Sequence, residues 1–172
     1  IAHALAQINR YTGHARRPYS VAEHSVLVAD IARHAGATPM VQLAALLHDA
    51  HEAYVGDVSS PVKWALGASW DAFEGGFAAL VRRHFGLQSV FASQGHLIKR
   101  FDLIALATER RDLTAFDPAR NAPWGILAGV EPAPWVKLTD HVPQGWTRWR
   151  DIFLAGHEKL RSEVKDWVAS NL

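Results

Sequence analysis

An all-α single domain is what this sequence predicts. Apolar residues recur with a helical period along most of the 172 residues, helix start and stop signals separate the periodic stretches, and strand-like alternation is scarce. The length suits one domain with a sizeable core, spanning residues 1–172 in about six to seven helices. Ser20 with Glu23 three residues on is a capping-box signature, starting a helix that runs to about His34–Ala35, where Gly36 stops it. Thr38-Pro39 supplies an N-cap and first-turn proline for a helix that turns Leu43, Leu46, Leu47 and Ala50 inward and ends near Tyr54. Gly56-Asp57 and Ser59-Ser60-Pro61 form a loop, followed by a short helical turn at Val62–Leu66. Trp70–Phe85 reads as a helix despite Gly75-Gly76, and a long helix runs from about Ser93 to Leu113. The Pro-, Gly- and Trp-rich stretch 118–145 is an ordered excursion. A helix over 146–170 closes the chain, with Trp149, Ile152, Phe153, Leu160, Val164 and Trp167 on its apolar side.

Composition excludes several classes. Apolar residues make up 49% and charged residues 20%, as in ordinary globular proteins. A net charge of +1 gives no field for a long nucleic acid, although Arg10, Arg16 and Arg17 could hold one small phosphate. With no cysteine, any metal must bind through nitrogen and oxygen. No apolar run approaches the roughly 18 residues of a membrane span, and no signal peptide opens the chain. The start at Ile1 rather than Met implies that a few residues precede it. Four of the seven tryptophans (Trp124, Trp135, Trp146, Trp149) fall late.

The chemistry is concentrated at His48-Asp49, two polar side chains within the apolar stretch VQLAALLHDAHEAYVGD. Burying them is costly unless something satisfies them, and a divalent cation does. His24 lies in a second amphipathic segment. Asp102 lies in a third, between Phe101 and Leu103-Ile104, a poor place for an unpaired carboxylate. A single such histidine is usually a satisfied core residue; the set of four is read as a metal site. Two imidazoles and two carboxylates suit Mn, Fe, Co, Zn or Mg. Glu52 follows His48 by four positions and Asp49 by three, sharing a helical face on which a carboxylate can do general acid/base work without being a ligand. His51-Glu52 begins like a zinc-protease H-E-x-x-H, but Val55 stands where the second histidine would be. His14, His34, His84, His96, His141 and His157 are assigned no role.

The order His24, His48-Asp49, Asp102 resembles the HD-domain metal-dependent phosphohydrolases. Within them, AEHS followed by HDAHEAYVGDVSSPVK is similar to the small bacterial and phage 5′-deoxynucleotidases of the YfbR-like group, from about Arg10 to Asp102. The resemblance implies an HD-type helical fold with His24, His48, Asp49 and Asp102 as metal ligands. It implies Glu52 as the catalytic carboxylate and Asp57 as a second acid near the scissile phosphate. Arg10 and Lys63 fall where the family binds phosphate. Tyr11 stands where the family has a tryptophan against the sugar, and the stretch to His24 is one residue shorter, so the resemblance leaves the choice between deoxyribose and ribose open.

The implied activity is hydrolysis of a deoxynucleoside monophosphate to nucleoside and phosphate. The main alternative is a deoxynucleoside triphosphate hydrolase, which needs more cations near the site; Arg16 and Arg17 are candidates. A non-catalytic nucleotide-binding HD domain and a helical interaction protein are the rivals from other classes. The resemblance also implies a cytoplasmic homo-oligomer in a bacterial or phage-infected cell, acting on a small nucleotide and on neither membrane nor long nucleic acid.

Overall fold

A computed structural model of the chain describes residues 1–140 and 144–171. Among these it is all-helical, with eight α-helices and one isolated antiparallel bridge, Asn9 to Ser20, in place of any sheet. The extra helices relative to expectation are single turns. The first is α1 (Ala2–Leu5), whose Leu5 is fully buried. Helix α2 (Val21–His34) starts where the capping box places it: the Ser20 hydroxyl accepts from the Glu23 amide at 3.1 Å. Ten of its fourteen residues are buried, because α2 packs against several helices at once.

The next segment differs from expectation. Helix α3 (Pro39–Leu46) begins at the Thr38 cap but stops before His48, and α4 (Glu52–Val55) starts afresh. Residues 47–51 between them are turns, held by Ala50 N–H to Leu47 O (3.1 Å) and Glu52 N–H to Asp49 O (2.9 Å). His48 and Asp49 are therefore not neighbours on a continuous helix. Three-residue turn closure re-aims both side chains, whereas a regular helix would splay them by about 100°.

Helix α5 (Ser60–Leu66) and α6 (Ala68–His84) flank the site-bearing end of the molecule. Helix α6 keeps its Gly75-Gly76 pair in regular helix and buries only Ala78 and Val81. Helix α7 (Gln88–Leu113) starts earlier than the expected Ser93, and α8 (Trp146–Asn171) closes the chain. Helices α2, α3, α7 and α8 form the core, in which Leu46, Leu113, Phe153 and Leu160 are 1–3% exposed. On α8, Trp149 and Val164 pack partly against this core, while Trp146 and Trp167 stay 40–41% exposed.

The described part of the 118–145 excursion makes two 3₁₀ turns, Gly125–Leu127 and Leu138–Asp140. Side chains of α7 fasten it. Thr108 Oγ1 accepts from the Ala133 amide at 2.9 Å, Asp112 Oδ2 accepts from the Leu138 amide at 2.8 Å, and Arg111 donates to the Ala133 and Val136 carbonyls. His141 lies outside the described residues. No helix among the described residues is long and apolar enough to cross a membrane. Leu160 tests the core: Leu160→Ala should lower the unfolding free energy by about 2–5 kcal/mol in denaturant titrations, as expected for a truncated buried leucine.

Candidate metal centre

The local backbone first brings the N-terminal residues to the helices. Arg10 N–H donates to Tyr19 O at 2.8 Å, closing the segment into a tight loop. Inside it Tyr11 (φ 57°) and Thr12 (φ 52°) are left-handed, followed by Gly13 (φ 82°). Two consecutive non-glycine residues in that region cost about 1–2 kcal/mol each, so other contacts must hold them. The Tyr11 hydroxyl does so, donating to Glu109 Oε2 at 2.6 Å.

His24 from α2, His48 and Asp49 from the turn after α3, and Asp102 from α7 converge. The two Nε2 atoms are 3.2 Å apart. Asp49 Oδ2 is 3.5 Å from His24 Nε2 and 3.1 Å from His48 Nε2. Asp102 Oδ1 is 3.3 Å and 3.8 Å from the same two atoms. Donors about 2.1 Å from a shared ion stand about 3.0–3.4 Å apart in octahedral or tetrahedral arrangements. His24, His48 and Asp49 bring their ligand atoms close enough together to hold one divalent cation, and Asp102 stands beside both imidazoles. Burial is graded: the His24 side chain is fully buried, while those of Asp49 and Asp102 are 19% and 14% exposed.

Both imidazoles are oriented from behind. His48 Nδ1 lies 2.8 Å from Ala45 O; a carbonyl only accepts, so Nδ1 keeps its proton and Nε2 is the nitrogen that, once deprotonated, offers a lone pair to a metal. His24 Nδ1 lies 2.5 Å from Glu109 Oε1, with the same consequence. Glu109 is wholly buried and also accepts from Tyr19 Oη at 2.9 Å and Arg10 Nη2 at 3.3 Å. Burial opposes its charge, but Arg10, His24 and these hydrogen bonds lower its pKa to about 2. Sequence reasoning missed Glu109. Its signal was its place seven residues after Asp102, two turns along the same face of α7.

The four central groups are paired as ions. Burial and Arg10 oppose a charge on His24, but Glu109, Asp102 and Asp49 raise its pKa well above the usual imidazole value. Burial likewise opposes His48, which Asp49 and Asp102 raise to about 9. The same partners hold Asp49 and Asp102 well below the usual carboxylate range against their burial. Lys99 also donates to Asp102 Oδ2 at 2.7 Å.

The remaining expected site residues divide. Glu52, at the start of α4, is 3% exposed, and its Oε2 has no hydrogen-bond partner. Burial, then Asp49 and Asp57, hold its pKa well above the usual range. Asp57, in the loop after Gly56, is raised by burial with Asp49 adding, opposed by Arg10, His24 and Lys63. Arg10 reaches Asp49 Oδ2 at 3.7 Å as well as Glu109, so it reinforces the cluster from behind. Lys63 Nζ donates to Glu74 Oε1 at 2.7 Å. Arg17 closes its fork on Glu23, at 2.9 and 2.7 Å, where it fastens the start of α2. Arg16 is exposed; its backbone amide donates to Leu113 O at 2.8 Å. Tyr11 stands 6.4 Å from the Trp124 ring, which brings the excursion to the edge of the site. An apolar groove of about 430 Å³ between Ala37, Val41, Leu97 and Trp167 is lined by no ionisable residue and is separate from this chemistry.

Two outcomes follow for metal binding. Glu109→Gln should weaken divalent-metal affinity about 10–100-fold by calorimetry, since it removes the charge behind His24. With His48 raised to about 9, its proton must leave before an ion binds. Affinity should therefore rise from pH 6 toward about 9, and calorimetry in buffers of different ionisation enthalpy should show proton release. A pH-independent affinity would contradict this pairing.

Comparison with known proteins agrees with the geometry. Residues 21–102, which contain all four converging side chains, match the family model described as the HD domain. The chain is 38% identical over 130 residues to the uncharacterized protein YfdR of Escherichia coli (strain K12), covering 76% of this chain and 66% of that one. It is also 38% identical over 124 residues to an uncharacterized protein of Rhodobacter capsulatus, covering 69% of this chain and 63% of that one. The matches thus span slightly less than two thirds of these relatives' length. Residues 21–102 thus carry an HD domain, over just under half of the chain.

Proposed function

We propose that this protein is a metal-dependent phosphohydrolase of deoxynucleoside monophosphates, releasing deoxynucleoside and phosphate. The observation that carries the reading is the convergence of His24, His48, Asp49 and Asp102 donors together with the buried Glu52 carboxyl, whose Oε2 has no hydrogen-bond partner. A bound divalent ion would supply Lewis acidity toward a phosphate oxygen and lower the pKa of water.

The chain's own groups handle the substrate and its protons. Glu52, whose pKa burial and then Asp49 and Asp57 raise, is the acid that gives its proton to the leaving 5′-oxygen. Asp57 lies in the loop near it and takes the proton that water loses as its oxygen bonds to phosphorus. Lys63, the more exposed of the two cations near these carboxylates, orients the phosphate, while Arg10 offsets the charge of Asp49 and Glu109 from behind. Tyr11 and Trp124 form an aromatic pair at the edge of the site, suited to sugar or base.

Arg17 bears on the triphosphate alternative. Its clamp on Glu23 withdraws one of the two extra cations that a triphosphate would need, which favours the monophosphate. The test is product analysis after incubating the metal-loaded protein with dAMP, dATP and AMP. Nucleoside and phosphate from dAMP are expected; nucleoside and triphosphate from dATP alone would replace this reading. Glu52→Gln should lower kcat by about 10²–10⁴-fold, the usual contribution of a positioned acid or base. It should leave the first equivalent of metal bound, and full activity would remove Glu52 from proton transfer.

A further inference from the structure

His51 has no role as a protease-type ligand, yet the fold gives it other partners. His51, Glu52 and Glu74 each bring a ligand atom to within 4.8 Å of the other two. His51 Nε2 lies 3.7 Å from Glu74 Oε1. His51 and Glu52 are 7% and 3% exposed, so two of the three ligands sit in the protein interior. Glu74 reaches them from α6, a helix otherwise lightly attached to the core. Within this group the Glu52 Oε2 atom is buried with no hydrogen-bond partner, an arrangement that costs free energy until a proton donor or cation arrives.

One cation is already at the cluster. Lys63 Nζ is 2.7 Å from Glu74 Oε1, its side chain is 28% exposed, and it passes the Trp70 ring at 5.9 Å. A flexible ammonium at a solvent edge can leave, and an imidazole with two carboxylates is then a donor set for a hard or borderline divalent ion. We propose that His51, Glu52 and Glu74 form a second divalent-cation site beside the first, with Lys63 as the internal counter-cation that an incoming ion displaces. The site is weaker than the first because that displacement opposes binding. Filling it frees Lys63 from Glu74 and makes Glu52 a ligand, so loading alters the groups assigned above to phosphate and proton. The inference goes beyond the phosphohydrolase reading and does not depend on which ester is cleaved.

The test is titration of the metal-stripped full chain with Mn²⁺, followed by calorimetry and by the paramagnetic resonance signal of free Mn²⁺. Two steps per chain are expected. Glu74→Gln should weaken the second step at least about tenfold and leave the first intact, as for loss of one carboxylate ligand. Lys63→Met should strengthen the second step severalfold, which a purely structural lysine would not do. Asp102→Asn should weaken the first step and spare the second, so a failure of the first centre reads separately. One Mn²⁺ per chain up to millimolar concentration would overturn the proposal, as would a second step unchanged in both Glu74→Gln and Lys63→Met. Thermal melts confirm folding of each variant. Should Glu74→Gln not fold, Lys63→Met decides alone.

Discussion

The wholly buried Glu109 carboxylate is the interaction on which the site is built. It accepts from His24 on α2, from Tyr19 just before α2, and from Arg10 and Tyr11 in the left-handed loop, while itself standing on α7. An ionised carboxylate in that place is tolerable only because hydrogen bonds and opposite charge meet it on every side. Remove it and an arginine, a histidine and two phenols lose their common partner. The loop strain at Tyr11 and Thr12 is held by the same carboxylate, so backbone conformation and metal-ligand orientation depend on one residue.

The break between α3 and α4 is the second constraint. A continuous helix would aim His48 and Asp49 in different directions and would place Glu52 on a regular face below them. Turn closure at residues 47–51 instead sets His48 Nε2 and Asp49 Oδ2 3.1 Å apart and restarts the helix at Glu52. The ligand pair and the neighbouring acid thus come from one short stretch whose geometry is irregular. Regular helices on either side, tied to α2, α7 and α8, keep that irregular stretch in place.

Charge balance explains the protonation pattern. Asp49, Asp102, Glu52, Asp57, Glu74 and Glu109 crowd one region, and Arg10, Lys63, Lys99 and the two imidazoles answer them. Where a cation is within reach, as at Asp102 and Glu109, the carboxylate pKa is held down; where burial and other carboxylates dominate, as at Glu52, it is pushed up. A divalent ion adds positive charge to this region, so metal loading and protonation are linked throughout it.

The all-helical class, the Ser20 and Thr38 caps and the candidacy of His24, His48, Asp49 and Asp102 were legible in the sequence, because helical periodicity and polar residues within apolar stretches are local signals. The turn at residues 47–51 was not, since its apolar pattern is also that of a continuous helix. Neither was the partnership of Glu109, nor the separation of Arg17 from Arg10: an arginine's role is set by which carboxylate it meets in space, and Glu23 and Glu109 are reached only through the fold. Tyr11 and Trp124, 113 positions apart in the chain, meet because α7 fastens the excursion beside the N-terminal loop. The sequence by itself determined which residues could bind a metal and where helices begin; tertiary structure decided which of them share a site, because ligand atoms a few ångströms apart are positioned by packing between helices rather than by spacing along the chain.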